Sequence, residues 1–186
     1  MKFYYLTLSW IYRWYGKKMC KECEGFIKPF SKILDLGCGS GIIAKEFQKH
    51  FKSELIGIDI IENLVEKIPF KKFDGEFIPF PPKSFDVVMI NFVLHHCRNP
   101  LQLLKEAKRV GKEIIVYEDL PEGLLGKLFC KIHGFTFSSI FQKEKNQNFK
   151  TEKEWKKIFD KLKLKIIFKK RVANFPVKKQ LFILRT

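Results

Sequence analysis

Two hydrophobic patterns alternate along most of the chain. Short runs dominated by apolar residues predict strands, and segments whose apolar residues recur at helical spacing predict helices. The predicted strands lie at residues 32–37, 54–60, 71–75, 85–91 and 113–119. The predicted helices between them cover 42–51, a short segment near 61–67, and 100–110, which begins at Pro100. This alternation is typical of an α/β domain with a doubly wound parallel sheet.

The end of the chain follows a different order. Thr151 and Glu154 form a capping-box pattern that predicts the start of a helix. Two strand-like runs follow at 164–172 and 180–186, and the connection between them is too short for a helical crossover. They are therefore expected to pair antiparallel, as a C-terminal hairpin. We predict a seven-stranded sheet, mostly parallel, in a single domain spanning residues 1–186.

A glycine-rich turn follows the first predicted strand, in the sequence ILDLGCGSG at 33–41. The third glycine of a dinucleotide-binding fingerprint would fall at Ile42, and the lysine of a nucleotide-triphosphate loop is absent. What remains is a tight backbone turn preceded by Asp35, without a phosphate-binding side chain. This combination favours a cationic ligand over an anionic one.

Three stretches in this order resemble the class I S-adenosylmethionine-dependent methyltransferases, in particular the type 11 group that acts on small molecules. LDLGCGSG at 34–41 is similar to the family's first motif, and GIDI at 57–60 has an acid at the ribose-binding position. The run DGEFIPFPPKSFDVVMINFVLHH at 74–96 looks like the family's third and fourth strands. The resemblance implies a Rossmann-like fold and S-adenosylmethionine as the cofactor.

The resemblance also implies which residues bind the cofactor: Asp35, Gly37, Cys38, Gly39, Gly41, Asp59, Ile60, Asp74, Gly75, Glu76 and Asn91. The first two glycines let the backbone approach the methionyl group, and Gly41 lets the helix pack close to the strand. Asp59 is expected to accept hydrogen bonds from the ribose hydroxyls, and a helix cap is its alternative role.

Four more of these positions concern the base and the sulfonium group. Asp74 resembles the acceptor of the adenine amino group, with Gly75 and Glu76 beside the base, although Asp-Gly is also an ordinary turn. Asn91 ends the fourth strand and is expected to face the sulfonium region or to cap the strand.

A general base is needed only if the acceptor is protonated at working pH. His95 and His96 follow the fourth strand and are the weak candidates, with a slight preference for His96. The sequence shows no obvious carboxylate to orient either ring, and both histidines have local packing as an alternative. The sequence NFVL at 91–94 lacks the Pro-Pro motif typical of methyltransferases that act on base amines or glutamine.

Two segments flank the predicted cofactor motifs. Residues 1–29 are expected to form a helical cap, with Tyr12, Trp14 and Tyr15 closing the site. Residues 120–150 are expected to form a substrate lid whose apolar walls come from Phe129, Phe135 and Phe137. Such a lid favours a hydrophobic or aromatic acceptor, whereas ordinary core packing is the alternative.

Charge and cysteine content leave two alternatives open. The net charge is +16, and residues 143–186 carry 15 Lys and Arg against 4 acids. Such a region either attracts RNA or is a solvated lysine-rich surface, and the second interpretation is favoured. A zinc site built from Cys20, Cys23, Cys130 and His133 is the less favoured interpretation of the cysteine spacing, and no metal is predicted.

The favoured function is a cytoplasmic methyltransferase for a small-molecule acceptor. The five cysteines and the lack of a secretory or membrane-spanning segment suggest a reducing compartment. The alternatives are an RNA or protein methyltransferase recruited by the basic C-terminal region, and a non-catalytic cofactor-binding module. The acceptor atom and the oligomeric state do not follow from the sequence.

Overall fold

The predicted strands form one twisted sheet. A computed structural model describes residues 2–140, 149–173 and 177–186. Within these residues the strands are β1 (Lys32–Leu36), β2 (Glu54–Asp59), β3 (Phe70–Lys72), β4 (Phe85–Asn91), β5 (Gly111–Leu120), β6 (Lys165–Ala173) and β7 (Lys178–Arg185). Their order across the sheet is β3-β2-β1-β4-β5-β7-β6.

Strands β1 to β5 run parallel, and β7 lies antiparallel between β5 and β6. The predicted fold class is therefore confirmed, including the antiparallel hairpin at the end of the chain. Strand β1 lies between β2 and β4, so the strand order reverses its direction between β1 and β4. The carboxyl ends of β1, β2 and β4 meet there, where open α/β sheets bind their ligands.

Helices cover both faces of the sheet. They are α1 (Lys2–Thr7), α2 (Ser9–Glu22), α3 (Ile42–Phe51), α4 (Pro100–Val110), α5 (Gly123–Ile140) and α6 (Glu152–Lys161), with a short 3-10 helix at Leu94–His96. The capping box predicted at Thr151 is present, since its hydroxyl oxygen accepts from Glu154 N and the Glu154 side chain returns to Thr151 N.

The core consists of two apolar layers, one on each face of the sheet. On one face, α4 and α6 bury residues such as Leu104, Trp155 and Phe159 against the strands. On the other face, α2 and α3 bury residues such as Met19 and Phe47. The second half of α2 therefore belongs to the core, and this burial fixes the helix beside the carboxyl edge.

The helix predicted near 61–67 is wrong. The backbone N–H groups of Val65 and Glu66 donate to the carbonyl of Ser40, at 2.9 and 3.2 Å, instead of closing helical turns. This segment is consequently held against the glycine turn. The third strand also begins and ends earlier than predicted, so Asp74 and Gly75 lie in the turn that follows β3.

Candidate active site

The glycine turn between β1 and α3 requires glycine for steric reasons. Gly37 has a φ of 77°, and a Cβ atom there would lie 2.5 Å from Val93 Cγ2. Gly41 has a φ of 72°, and its Cβ would lie 2.9 Å from Leu64 Cδ2. Both the positive φ and the close neighbours exclude larger side chains. The turn thus leaves backbone, not side chains, facing the end of β1.

Cys38 lies between two of these glycines and is a packing residue. Its Sγ contacts β2 so closely that a Cβ at Gly57 would lie 2.6 Å from it. Burial raises the pKa of the Cys38 thiol, so it stays protonated. The structure places this side chain in the core and leaves only its backbone at the turn.

Asp59 ends β2 and joins it to the glycine turn. Its Oδ2 accepts a hydrogen bond from Gly39 N at 2.9 Å, and its Oδ1 accepts one from Ile61 N at 3.4 Å. Burial raises the pKa of this carboxyl group, while the backbone hydrogen bonds act in the opposite direction. Asp59 therefore has a structural role in the free protein, in which it holds the glycine turn. Its contact with the ribose stays a prediction.

Asp35 and Asn91 form a buried polar pair at the ends of β1 and β4. Asn91 Nδ2 donates to Asp35 Oδ1 at 3.3 Å, and Asp35 is 2% exposed. Burial, followed by the nearby charge of Asp59, raises the pKa of Asp35 to about 7. In the part of the chain that the structure describes, Asn91 Oδ1 is buried without a hydrogen-bond partner. This pair therefore suits a ligand that carries positive charge or N–H donors.

The turn after β3 lies against the end of β2. A Cβ at Gly75 would lie 3.2 Å from Ile60 Cγ2, so the two predicted residues are neighbours. Asp74 Oδ1 accepts hydrogen bonds from Glu76 N and Phe77 N, both at 2.8 Å, and these bonds lower its pKa. Asp74 thus stabilises an ordinary turn, which is the alternative that the sequence analysis gave for Asp-Gly. Contact of this turn with adenine stays a prediction.

A buried carboxylate that the sequence analysis missed orients His95. Glu118, in β5, pairs through Oε2 with His95 Nδ1 at 2.6 Å, while its Oε1 accepts from Leu94 N at 2.8 Å. Both side chains are almost fully buried. The carboxylate pairs with His95 and not with His96, which the sequence had slightly favoured. The ring of His96 lies beside that of His95, with 4.0 Å between the centroids.

Burial also raises the pKa of Glu118 well above its ordinary value, and the neighbouring Asp119 acts in the same direction. The ring of Phe149 stacks on His95, with centroids 4.4 Å apart. This arrangement fixes the ring plane of His95 and the nitrogen that faces Glu118. It is the geometry expected of an oriented histidine.

The N-terminal helices lie at the rim of this edge. The Tyr5 hydroxyl oxygen is 3.7 Å from the position that a Cβ would take at Gly39, and the Tyr5 and Tyr12 rings are 5.6 Å apart. The Tyr15 ring lies 6.0 Å from Phe92, which follows β4. Trp14 is mostly exposed, and its role in closing the site stays a prediction. Tyr12 and Tyr15 therefore lie close to the site, and Trp14 faces away from the core.

The predicted lid begins as helix α5, in which Phe129 is half-buried. The side chains of His133, Phe135 and Phe137 lie outside the described residues. Cys23 Sγ lies 3.5 Å from the Tyr117 hydroxyl oxygen, in the core on that face of the sheet. Among the described residues, no cluster of potential metal ligands is found. Nor does any of the described helices have the length and apolar character needed to span a membrane.

Comparison of the sequence with known proteins gives matches to a methyltransferase domain. A family model for a methyltransferase domain matches residues 34–113. An uncharacterized protein of Methanocaldococcus jannaschii is 35% identical over 109 residues, which are 54% of this chain and 51% of that protein. A sarcosine/dimethylglycine N-methyltransferase of Aphanothece halophytica is 30% identical over 133 residues, which are 59% of this chain and 47% of that protein. The aligned part thus spans about half the length of these curated relatives.

Solved structures share the fold over nearly the whole chain. A SAM-dependent methyltransferase from Aquifex aeolicus superposes with a TM-score of 0.68 at 19% identity, covering 91% of this chain and 88% of that one. The matched family region contains the glycine turn, Asp59 and Asn91, which the geometry brings to one edge of the sheet. Residues 34–113 of this chain thus match a methyltransferase domain, and the chain is similar to S-adenosylmethionine-dependent methyltransferases in sequence over this part and in fold over nearly its whole length.

Proposed function

We propose that this chain transfers a methyl group from S-adenosylmethionine to a small acceptor of hydrophobic or aromatic character. The observation that supports this most directly is the acidic, glycine-lined edge formed by Asp35, Asp59 and Asn91. A carboxyl group at 2% exposure beside an unsatisfied amide oxygen is costly in a folded protein unless a ligand uses it. Its sign fits a sulfonium cation with an ammonium group.

The chain's residues divide the proposed cofactor site into three parts. The backbone of Gly37, Gly39 and Gly41 lines the methionyl part, where Asp35 and Asn91 supply negative charge and an acceptor oxygen. Asp59 holds the ribose hydroxyls. The turn that contains Asp74, Gly75 and Glu76 lies beside Ile60 and forms the wall for the base.

When bound, S-adenosylmethionine supplies a methyl group on a positively charged sulfur, which is already activated for in-line attack. The main task of the protein is then to orient the acceptor and to exclude water. His95 can remove the acceptor's proton when one must be lost. When Glu118 is ionised, Nδ1–H donates to its carboxylate, and Nε2 is then the basic nitrogen of the neutral ring.

The flanking segments are proposed to select the acceptor. The cap at residues 1–29 brings Tyr5, Tyr12 and Tyr15 to the rim, and the segment at 120–150 adds the largely apolar helix α5. Together with the sheet they make one domain over residues 1–186. We place this domain in the reducing cytoplasm, and the five free thiols of the chain agree with that proposal.

Calorimetry with S-adenosylmethionine and S-adenosylhomocysteine tests cofactor binding. Asp59→Ala should weaken both, and Asp86→Ala is the matched control because Asp86 lies at the opposite edge, paired with Lys112 at 2.8 Å. No binding of either compound at millimolar concentration would refute the proposal.

Incubation with methyl-labelled cofactor and fractionated cell extract tests the acceptor class. Label in the small-molecule fraction supports the proposal. Label in RNA or protein would assign the chain to the alternative, in which the basic C-terminal region recruits a macromolecule. Tight cofactor binding with label in no fraction would favour a non-catalytic module.

A further inference from the structure

Helix α2 exposes large aromatic side chains near the carboxyl edge of the sheet. Trp10 is 69% exposed and Trp14 is 61% exposed, one turn apart on the same face of the helix. Lys17 and Lys21 continue this face over the next two turns and are also exposed. The buried face of the same helix contacts the core through Met19 and Cys20. The helix is thus held by one face and presents tryptophan and lysine on the other.

Helix α5 repeats this arrangement with aliphatic side chains. Leu124, Leu125 and Leu128 are 86%, 64% and 53% exposed, and they lie within an arc of about 100° around the helix. Lys127 and Lys131 flank this arc and are exposed. The opposite side of the helix is buried, since Cys130 is in the core and Gly126 lies close to the Leu120 carbonyl.

Both helices are anchored at the same edge of the sheet. Tyr15 of α2 contacts Phe92, directly after the carboxyl end of β4. Helix α5 begins three residues after the carboxyl end of β5, the strand that pairs with β4. Both helices therefore lie beside the candidate active site, and we call their exposed residues Trp10, Trp14, Leu124, Leu125 and Leu128 the apolar rim.

The charge around the apolar rim is positive. The part of α5 whose side chains are described, residues 123–132, contains two lysines and no acid, and the whole chain carries a net charge of +16. A second copy of the chain would bring like charges together, which opposes self-association through this surface. An anionic surface with an apolar interior would attract the lysines and bury the leucines.

We propose that the apolar rim docks on an anionic lipid membrane surface. Tryptophan is favoured at the level of lipid headgroups, and an amphipathic helix with lysines beside leucines inserts its apolar face to the acyl boundary. Each lysine near such a surface strengthens partitioning about fivefold, and the apolar insertion adds to it. Docking in this orientation would turn the carboxyl edge of the sheet toward the membrane.

Vesicle co-sedimentation of the full chain, without cofactor, tests this proposal independently of methyl transfer. The probes are vesicles of phosphatidylcholine with an equal part of phosphatidylglycerol, compared with pure phosphatidylcholine. The protein should sediment with the anionic vesicles and only weakly with the neutral ones. Tryptophan emission should shift to shorter wavelength on binding, and the shift reports on α2 because Trp155, the third tryptophan, is already fully buried.

Two pairs of variants separate the apolar and the charged contributions. Leu124→Ser with Leu128→Ser should reduce partitioning at least about tenfold, whereas Phe30→Ser, an exposed apolar residue before β1, should change it less than about twofold. Lys127→Glu with Lys131→Glu should reduce it at least about tenfold. Lys153→Glu with Lys157→Glu changes the net charge equally, but in α6 on the other face of the sheet, and should have a much smaller effect.

Unchanged circular dichroism and melting temperature would show that these exposed substitutions leave the fold intact. Three results would overturn the proposal. The first is no sedimentation of the wild-type chain with anionic vesicles. The second is an equal loss in the α6 charge variant, which would indicate a general attraction of the basic chain to anions, RNA included. The third is a dimer in ultracentrifugation that the leucine variant dissociates, without vesicle binding, which would assign the apolar rim to a second copy.

Discussion

Replacing Asp35 with asparagine should have opposite effects on two properties: it should stabilise the free protein and weaken the binding of a cation. In the folded protein, burial and Asp59 raise the pKa of Asp35 from an ordinary value of 3.8 to about 7. Below about pH 4 both the folded and the unfolded chain hold this proton, so it does not affect stability. Between about pH 4 and 7 the folded chain alone retains it, and the free energy of unfolding falls as the pH rises. Above about pH 7 the Asp35 carboxyl is ionised in the folded chain as well, and the full free-energy cost of its buried charge is present.

The size of this cost follows from the pKa. A tenfold change in proton affinity corresponds to about 1.4 kcal/mol, so a pKa raised from 3.8 to about 7 corresponds to about 4 kcal/mol at pH 8. Asparagine removes the charge but introduces N–H groups that also need partners, which costs about 1 to 3 kcal/mol. We therefore expect Asp35→Asn to stabilise the free protein by about 1 to 3 kcal/mol at pH 8, and by less at pH 5.

Urea denaturation of both proteins from pH 5 to 8 measures this difference, and subtracting the two curves isolates Asp35 from the other titrating groups. Asp86→Asn is the matched control with the opposite sign. Lys112 and the Lys32 N–H lower the pKa of Asp86, so it stabilises the fold at neutral pH and its contribution is lost as the pH falls. That variant should be less stable than the wild type at pH 8.

The same substitution should weaken the binding of S-adenosylmethionine more than that of S-adenosylhomocysteine, because only the first carries the sulfonium charge. Calorimetry at pH 8 measures both affinities. An Asp35→Asn protein with wild-type stability at pH 8, or with a stability difference that does not change between pH 5 and 8, would refute the reasoning about the buried carboxyl. Equal losses for the two ligands would show that Asp35 does not sense the sulfonium.

Three further substitutions test the rest of the site. Asp59→Ala should weaken cofactor binding by about 1.5 to 3 kcal/mol in calorimetry and lower the melting temperature, because it removes both the ribose acceptor and the bond from Gly39 N. Glu118→Gln should lower turnover of a protonated acceptor about 10- to 100-fold and shift the pH profile of turnover, because it alters the orientation and basicity of His95. Cofactor affinity should change little. An unchanged pH profile would leave His95 a packing residue. Gly37→Ala should lower stability more than Gly25→Ala in thermal denaturation, because both have positive φ but a Cβ at Gly25 meets nothing within 4 Å.

The parts of the fold that the sequence predicted depend on local chemistry. Buried strands and amphipathic helices differ in the period of their apolar residues, and the glycine turn and the capping box are recognisable over a few residues. Asp59 could be placed at the carboxyl edge because it ends an apolar run beside the first strand. In each case the information lies within about ten residues of the feature.

The errors have non-local causes. The segment near 61–67 has residues compatible with a helix, yet Val65 and Glu66 bond to the carbonyl of Ser40, some 25 positions earlier. Glu118 escaped notice because its partner His95 is 23 residues away in the chain. A signal for it existed: two adjacent acids, Glu118 and Asp119, directly follow the run IIVY at 114–117, and acids at the end of a buried strand need partners.

Three carboxyl groups at the carboxyl edge, the buried Asp35 and Glu118 and the half-buried Asp59, share a property that affects how this edge responds to ligands. Burial raises the pKa of Asp35, Asp59 and Glu118, so each destabilises the free protein when it is ionised. None of the three is exposed, so a negative charge inside the site coexists with the positive charge of the exposed lysines around the apolar rim. A cation bound near Asp35 and Asp59 relieves their mutual repulsion and lowers their pKa values. Binding of a cationic cofactor is therefore expected to release a proton from Asp35 near pH 7, because burial and Asp59 raise the pKa of this group to about 7 in the free protein.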